Sequence, residues 1–392
     1  EPVAKLIGAL VEQGVEVHRL DRELHAAFGP QILQRTNSTS EKIGNYRTII
    51  AHTSGFHEVP TGSYLIFLAQ PQRRNVLALF EPQVYPNRLS ATGEAERPYD
   101  VAGWTLPMQL GVDAPAVMAI QEAVSERRLS LVRDVNEVRQ NLALPLRTGD
   151  ASAIANPLRQ PVRVGIYKSS VPNMDEGWTR FIFDTFNVPY ETVLDEALRQ
   201  EGLSSKYDAI ILPSRRTNQR TEGNPAVTES PESPGSITAE GILGLKAFVE
   251  SGGTLVCFDG SCELSIKEFN LPLRNVLTGL RSSDFYCPGS ILSLDVDNTQ
   301  PLARGLPRNV DAYFINSSAF DATDPNVRVI ARYAKENVLR SGWLLGEDKL
   351  KGRIALAEVS LGKGRIVLFA FRPQHRGQTW GTLTFIWNAL SR

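Results

Sequence analysis

The residues best suited to chemistry lie in a segment that predicts a strand, a sharp turn and a helix. Residues 254–258 form a buried-type strand, 259–261 mark the turn, and Cys262 stands at the start of the predicted helix. Parallel α/β enzymes can carry a nucleophile on such a turn, and a helix N-terminus lowers the pKa of a thiol. The segment therefore predicts either a reactive Cys262 or a structural turn, shaped by Asp259 and capped by Ser261, and we favour the structural turn. Asp259 is also a candidate binding residue.

A second group of candidates follows the first strand of the C-terminal half, at residues 174–180. Asp175 and Glu176 are candidate acids there, and Trp178 and Arg180 are candidate binding residues. Ligands of parallel sheets bind beyond the carboxyl ends of the strands. Two acids in the first turn of a helix are also favoured by the helix dipole, and we prefer that structural interpretation. The spacing places Trp178, Phe181, Ile182 and Thr185 on one side of this helix.

A third group lies between the last predicted strand and the last helix. Arg372 and Arg376, with His375 between them, could hold an anion or a carboxylate. The same side chains could instead cap carbonyl groups or pair with acids at a domain interface, and the sequence leaves both interpretations open. His375 is also the candidate base for a thiol nucleophile at Cys262.

The histidines do not form a metal-binding pattern. His18 has Asp21 three residues on, and His52 and His57 are five apart, but no His-Glu-x-x-His spacing is present. We therefore predict no metal in this chain. The three cysteines contain no C-x-x-C pair and do not indicate a disulfide framework.

Composition excludes several classes of protein. The chain has 392 residues, of which 42% are hydrophobic and 22% charged, and its 42 Lys and Arg against 43 Asp and Glu give a net charge of −1. This balance disfavours general nucleic-acid binding, and no apolar run reaches the roughly 18 residues of a membrane span. Gly165 stands alone, without a glycine-rich cofactor motif. The chain begins at Glu1 without Met, so we expect a processed or excised product.

The order of the predicted elements divides the chain into three parts. Residues 1–115 read as a smaller α/β domain, and 116–160 as a helix (115–128) followed by a Pro-containing linker (145–161). From 161 to 392, strands alternate with helices before a hairpin around 361–363, which predicts an α/β domain with a parallel sheet.

An ordered set of short motifs resembles the C-terminal portion of large bacterial zinc carboxypeptidases of the carboxypeptidase A-like metallopeptidase family. The resemblance covers nearly the whole chain, and it rests on the order of the motifs more than on any one of them. The motifs are YLIFLAQPQ (64–72), LFEPQ (79–83), RPYDVAGWTLP (97–107), MDEGWTR (174–180), YDAIILP (207–213), GGTLV (252–256), GKGRI (362–366), RGQ (376–378) and FIWNAL (385–390).

The resemblance implies a flavodoxin-like domain, similar to class I glutamine amidotransferases, that follows a smaller α/β domain and an upstream zinc peptidase domain. It also implies proteolysis by the parent protein, zinc in that upstream domain only, and a secreted or periplasmic location. This sequence departs from the family's zinc site, because no His has Glu three residues on. It also departs from the amidotransferase elbow Gly-x-Cys-x-Gly, in whose place it has residues 258–262, FDGSC.

Three functions remain open at this stage. The first is a non-catalytic accessory region of a zinc carboxypeptidase, with the upstream peptidase domain as its partner and a peptide as a possible ligand. The second is an amidotransferase-like thiol hydrolase that uses Cys262. The third is a peptide- or carbohydrate-binding module with Trp104, Trp178 and Trp380 as stacking surfaces.

Overall fold

The structure is a computed structural model. It describes residues 1–29, 31–37, 46–51, 55–85, 90–91, 96–121, 128–145, 154–200, 202–215 and 237–391, with the backbone alone for 31–37 and 46–51. In these ranges, no helix is long and apolar enough to cross a bilayer. The helices are α1 (Pro2–Glu12), α2 (Arg73–Phe80), α3 (Leu106–Leu110), α4 (Val135–Asn141), α5 (Met174–Thr185), α6 (Asp195–Leu198), α7 (Leu203–Lys206), α8 (Ala239–Glu250), α9 (Ser261–Glu268) and α10 (Trp380–Leu390). The strands are β1 (His18–Leu20), β2 (Leu24–Phe28), β3 (Gln31–Asn37), β4 (Tyr46–Ala51), β5 (His57–Val59), β6 (Tyr64–Leu65), β7 (Val117–Ile120), β8 (Leu129–Leu131), β9 (Val164–Tyr167), β10 (Glu191–Val193), β11 (Ala209–Leu212), β12 (Thr254–Phe258), β13 (Leu273–Asn275), β14 (Ser290–Val296), β15 (Asn309–Phe314), β16 (Phe320–Ala322), β17 (Arg328–Tyr333), β18 (Leu339–Ser341), β19 (Ile354–Leu361) and β20 (Gly364–Phe369).

The C-terminal part is built on a sheet whose main path runs β10-β9-β11-β12-β20-β19-β17-β14-β15. The first five strands of this path are parallel, and the others pair antiparallel. Counted along the chain, the parallel strands lie in the order 2-1-3-4-5, which is the flavodoxin-like order of doubly wound sheets. The prediction of an α/β domain with a parallel sheet is therefore confirmed, as is the hairpin around residues 361–363 between β19 and β20.

Alternate residues of the parallel strands enter two hydrophobic cores. In β12, Val256 and Phe258 belong to the first core, whereas Leu255 and Cys257 belong to the second. Side chains of α5 and α10 complete the first core, and those of α8 complete the second. Because both faces are covered, these strands read in the sequence as continuous apolar runs.

The N-terminal part packs onto the first core. Leu6 and Leu10 of α1 and Leu110 of α3 belong to the same core as the sheet face beneath α10. The chain approaches α10 closely at Gly111 (φ +67°), where a Cβ would lie 2.8 Å from the Cα of Gly381. Residues on both sides of position 115 therefore contribute to one hydrophobic core. A smaller domain that ends at this position stays a prediction.

Within the predicted helix at 115–128, residues 117–120 form a strand, so the helix prediction is wrong there. Val117–Ile120 (β7) pairs antiparallel with Leu24–Phe28 (β2). The two strands are far apart in the sequence. Their pairing is a tertiary interaction, and it overrides the local helical signal of this short segment. Residues 122–127 of the predicted helix and 146–153 of the predicted linker lie outside the described residues.

Two helix-interior glycines give a matched test of the packing. A Cβ on Gly244 of α8 would lie 1.9 Å from the carbonyl oxygen of Leu198, whereas a Cβ on Gly177 of α5 would meet nothing within 4 Å. Both changes to Ala gain helix propensity of about 0.5–1 kcal/mol. We expect Gly177→Ala to raise the free energy of unfolding by about that amount and Gly244→Ala to lower it by about 1–3 kcal/mol, as overpacking does. Urea denaturation measures both, and equal stability of the two variants would contradict the packing of α8 against Leu198.

Candidate functional site at the carboxyl edge of the sheet

Four loops meet where the parallel strands β9, β11, β12 and β20 end. They are the segments 168–173, 213–215, 259–260 and 370–379, and each follows its strand directly. The carboxyl ends of parallel strands share one edge of the sheet, and open α/β sheets bind their ligands there. This edge is therefore the candidate site, and it contains most of the residues that the sequence singled out.

The turn after β12 has the geometry of a nucleophile elbow, but its central residue is an aspartate. Asp259 has φ +46°, and its N–H donates to the carbonyl oxygen of Phe369 at 2.7 Å. The next residue must be glycine, because a Cβ on Gly260 would lie 2.2 Å from the carbonyl oxygen of Arg215. A carboxylate thus stands where a hydrolase of this architecture would carry its nucleophile.

Ser261 does not cap α9, so that part of the prediction is wrong. The cap position belongs to Gly260, which makes no side-chain cap hydrogen bond. Ser261 is the first helical residue, and its hydroxyl donates instead to the carbonyl oxygen of Pro213. Because Pro213 follows β11, this bond ties the start of α9 to the neighbouring loop of the same edge.

A buried guanidinium joins three segments of this edge. Arg372 Nε lies 2.9 Å from Asp259 Oδ2 and 3.6 Å from Asp175 Oδ1. The Ser214 hydroxyl donates to Asp259 Oδ2 at 3.2 Å. The side chains of Arg372 and Asp259 are only 7% and 4% exposed, so their mutual neutralisation offsets the cost of removing both charges from water. Of the two interpretations of Arg372, pairing with acids is the one that the structure supports.

Asp175 combines two roles in the first turn of α5. Asn173 caps this helix by accepting from the Asp175 N–H at 2.9 Å, so the carboxylate lies at the positive end of the helix dipole. Its side chain also faces Arg372. Asp175 therefore belongs to the ion cluster of the edge, whereas the sequence alone favoured the dipole role.

Cys262 is not placed to act as a nucleophile. Its side chain is fully buried in the second core, and its single S–H is shared between the carbonyl oxygens of Phe369 at 3.2 Å and Cys257 at 3.4 Å. Burial raises the pKa of this thiol well above its ordinary value. A reactive cysteine needs the thiolate and access to substrate, so the geometry argues against the thiol-hydrolase alternative.

His375 stacks on an aromatic ring at the same edge. The rings of His375 and Tyr313 are 4.2 Å apart and nearly parallel, at 9°. Both side chains are buried, and burial raises the pKa of Tyr313. The neighbouring Arg376 is exposed and has a positive φ of +49°. Arg376 therefore stays exposed and could contact an anion. His375 is instead packed into the protein against Tyr313.

The other candidates on α5 differ in exposure, because Glu176 is buried whereas Trp178 and Arg180 are half-buried. Glu176 and Arg180 form an ion pair along the helix, and Arg180 also donates to Thr192 Oγ1 of β10 at 3.0 Å. Trp178 is half-buried and packs edge-on against Phe181, which is 47% exposed. The predicted grouping of Trp178, Phe181, Ile182 and Thr185 does not share one environment. Phe181 is exposed, whereas Ile182 is buried with Glu176, Thr179 and Phe183.

The two other tryptophans proposed as stacking surfaces differ in exposure. Trp104 is 43% exposed, and its Nε1 donates to the carbonyl oxygen of Ala78 at 3.0 Å. Trp380 is buried against Phe186 at the start of α10. Trp380 is thus unavailable as a stacking surface for a carbohydrate or peptide ligand.

Sequence reasoning missed four polar residues of this edge. Gln374 is buried, and its amide donates to Thr179 Oγ1 at 3.1 Å. Ser214 lies in the loop after β11, and Asn173 lies in the loop after β9, so the rule that ligands bind at strand ends could have found both. Tyr313 lies on β15 and had no local signal.

No group of three potential metal-ligating side chains is present in the described part of the chain. His18 packs edge-on against Phe67, while Asp21 pairs with Arg19 at 3.3 Å. His57 stacks on Phe28. His52 lies outside the described residues.

Comparisons by sequence find neither a matching family model nor a matching curated protein. Among solved structures, a candidate ThuA-like protein from Bacteroides uniformis is 14% identical, with 62% of this chain and 94% of that chain covered and a TM-score of 0.33. A candidate GMP synthase subunit protein from Thermoplasma acidophilum is 8% identical, with 59% and 94% covered and a TM-score of 0.39. A β-galactosidase from Bacillus circulans is 14% identical, with 58% and 31% covered and a TM-score of 0.33. These scores are low, so the strand order itself carries the fold assignment.

The ion cluster predicts a large effect of Arg372 on stability. Arg372→Met should lower the free energy of unfolding by about 3–5 kcal/mol, because it leaves buried carboxylates without this cation. Asp259→Asn should cost less, since Arg372 keeps Asp175 nearby and Asn tolerates a positive φ. Chemical denaturation measures both changes. The control is Arg281→Met, which removes an exposed ion pair with Asp284 and should change little. An Arg372→Met protein as stable as this control would show that the cluster does not hold the edge together.

The thiols give a second prediction. Burial raises the pKa of Cys257 and Cys287 to about 12, in the same direction as Cys262. Unfolded thiols ionise near pH 8.5, so the folded state loses stability as the pH rises from about 9 towards 12, and not below that range. At pH 8 a thiol reagent should modify the folded protein only as fast as it unfolds. All three thiols should react at once in guanidinium chloride, which is the control, and rapid labelling of the folded protein would contradict this burial.

Proposed function

We propose that this chain is a non-catalytic accessory region of a secreted or periplasmic zinc carboxypeptidase, whose catalytic domain would be encoded upstream of Glu1. It would support that domain or hold its peptide substrate. Zinc would belong to the upstream domain and not to this chain. The proposal combines the resemblance of the motif set with the chemistry of the carboxyl edge.

The observation that carries the non-catalytic part is the residue in the turn after β12. An amidotransferase-like hydrolase needs a nucleophile there, with a base in reach. Asp259 occupies the position instead and is paired with the buried Arg372. Cys262, three residues later, is buried beneath the turn. The turn therefore has the backbone geometry of a hydrolase elbow, but its central residue forms a structural ion pair and does not act as a nucleophile.

The exposed surface beside this edge supports the binding part. Met174 is 81% exposed and Phe181 47% exposed on α5, which also carries Trp178. The loop with the exposed Arg376 adjoins them, because a Cβ on Gly377 would lie 2.8 Å from the Phe181 ring. An apolar surface next to an exposed cation suits a peptide or a neighbouring domain.

The test compares the chain with the product of the complete gene. The isolated chain should contain less than one zinc per molecule by atomic absorption and should not release C-terminal residues from peptides. The complete product should do both, and the coding sequence before Glu1 should contain a His-x-x-Glu pair and a distant third His. Cys262→Ser serves as the control, since it should leave every result unchanged.

Two outcomes would reject the accessory role. One is stoichiometric zinc with peptidase turnover by the chain alone, and the other is an upstream sequence without those ligands. Hydrolysis that is lost in Cys262→Ser would favour the thiol alternative. Peptide binding to the chain alone, without turnover, would favour substrate holding over support of the catalytic domain.

A further inference from the structure

A second polar region lies at the opposite end of the sheet, where the parallel strands begin. A depression of about 470 Å³ is lined there by residues at the starts of β12 and β20 and by parts of β17 and β19. We call it the amino-edge depression, and its polar lining residues are Thr254, Arg328, Glu358, Ser360, Lys363 and Arg365.

The strand register brings these side chains to one face. Arg365 is paired with Thr254 on one side and with Ser360 on the other. Arg328 is paired with Glu358, two residues before Ser360. Directly opposed residues, and residues two apart on one strand, point to the same face of a sheet. Four neighbouring strands therefore present one continuous row of polar groups.

A buried carboxylate fixes two of the cations in this row. Glu358 is only 4% exposed and accepts from both Arg328 and Arg365, the latter at 3.2 Å. Arg365 is held further by donation to the carbonyl oxygens of Ala389 at 3.0 Å and Ser391 at 2.9 Å. The guanidinium groups are thus oriented before any ligand arrives, which lowers the entropy cost of binding.

Donors remain for a ligand. Among the described residues, Arg328 pairs only with Glu358, and the Lys363 ammonium has no ion-pair partner. Both side chains are exposed at the depression. With Arg365, three cations face one carboxylate, so the site carries a net charge of +2. The hydroxyl of Ser360 adds a neutral donor at the same place.

We propose that the amino-edge depression binds a phosphate group, either free or as a monoester. A phosphate group carries about −1.5 to −2 charges at pH 7, which matches the surplus of the site better than a single carboxylate does. The guanidinium of Arg328 can bind its oxygens with two parallel hydrogen bonds, and Lys363 adds a point charge. Arg365 contributes mainly its charge, because four of its five N–H groups already donate to Thr254, Glu358, Ala389 and Ser391. This site is separate from the carboxyl edge and does not depend on the accessory role.

Isothermal titration calorimetry of the intact chain at constant ionic strength tests the proposal. Inorganic phosphate should bind at one site per chain, and acetate should bind at least about tenfold more weakly. Arg328→Gln and Lys363→Gln should each weaken phosphate binding at least about tenfold, the effect of losing charge-assisted hydrogen bonds. Lys363 lies in an exposed hairpin turn, so its variant should fold normally even if Arg328→Gln disturbs Glu358. The matched control is Lys267→Gln, on α9, which should bind as the unchanged protein does.

Phenyl phosphate separates the two sources of the group. Binding of both phenyl phosphate and inorganic phosphate would indicate a monoester ligand, and binding of inorganic phosphate alone would indicate the free ion. Both results support the site. No binding of either, equal binding of acetate and phosphate, or full affinity in Lys363→Gln would overturn it.

Discussion

The carboxyl edge of the sheet depends on one buried guanidinium. Arg372 follows β20, Asp259 follows β12, and Asp175 begins α5, so a single side chain connects three segments that are far apart in the sequence. An unpaired charge at this depth would lower the stability of the fold. Because moving any of the three segments would separate the ion pairs, these pairs fix the relative positions of the segments. The elbow at Asp259 can keep its positive φ because the loops around it are held in this way.

The helices and strands of the C-terminal part can be predicted from the sequence because local sequence patterns specify them. The sequence predicts a helix after the last strand, and α10 lies there, at Trp380–Leu390. The hairpin at 361–363 and the strand at 254–258 also have their predicted places. The strand β7 could not be predicted in this way. It forms by pairing with β2, which is distant in the sequence, and residues 117–120 alone do not specify that pairing.

The candidate site was predictable as separate residues and not as an arrangement. Asp175, Asp259 and Arg372 each stood out because they follow strands of a predicted parallel sheet. No local pattern could show that Arg372 pairs with the two acids, since these contacts span 113 and about 200 positions of the chain. The orientation of Cys262 was equally hidden. A residue in the first turn of a helix can face solvent or core, and the packing of α9 against β12 places this thiol in the second core.

The two ends of the sheet differ in how their charges are balanced. At the carboxyl edge, two acids surround the buried Arg372, and one of them, Asp259, occupies the elbow position. At the amino edge, Glu358 neutralises one charge of three and leaves donors at a depression. A hydrolase concentrates its uncompensated groups at the carboxyl edge, where loops can vary without disturbing the strands. Here that edge is bound into the core by its own ion pairs, and a second group of incompletely neutralised cations lies at the opposite end of the sheet.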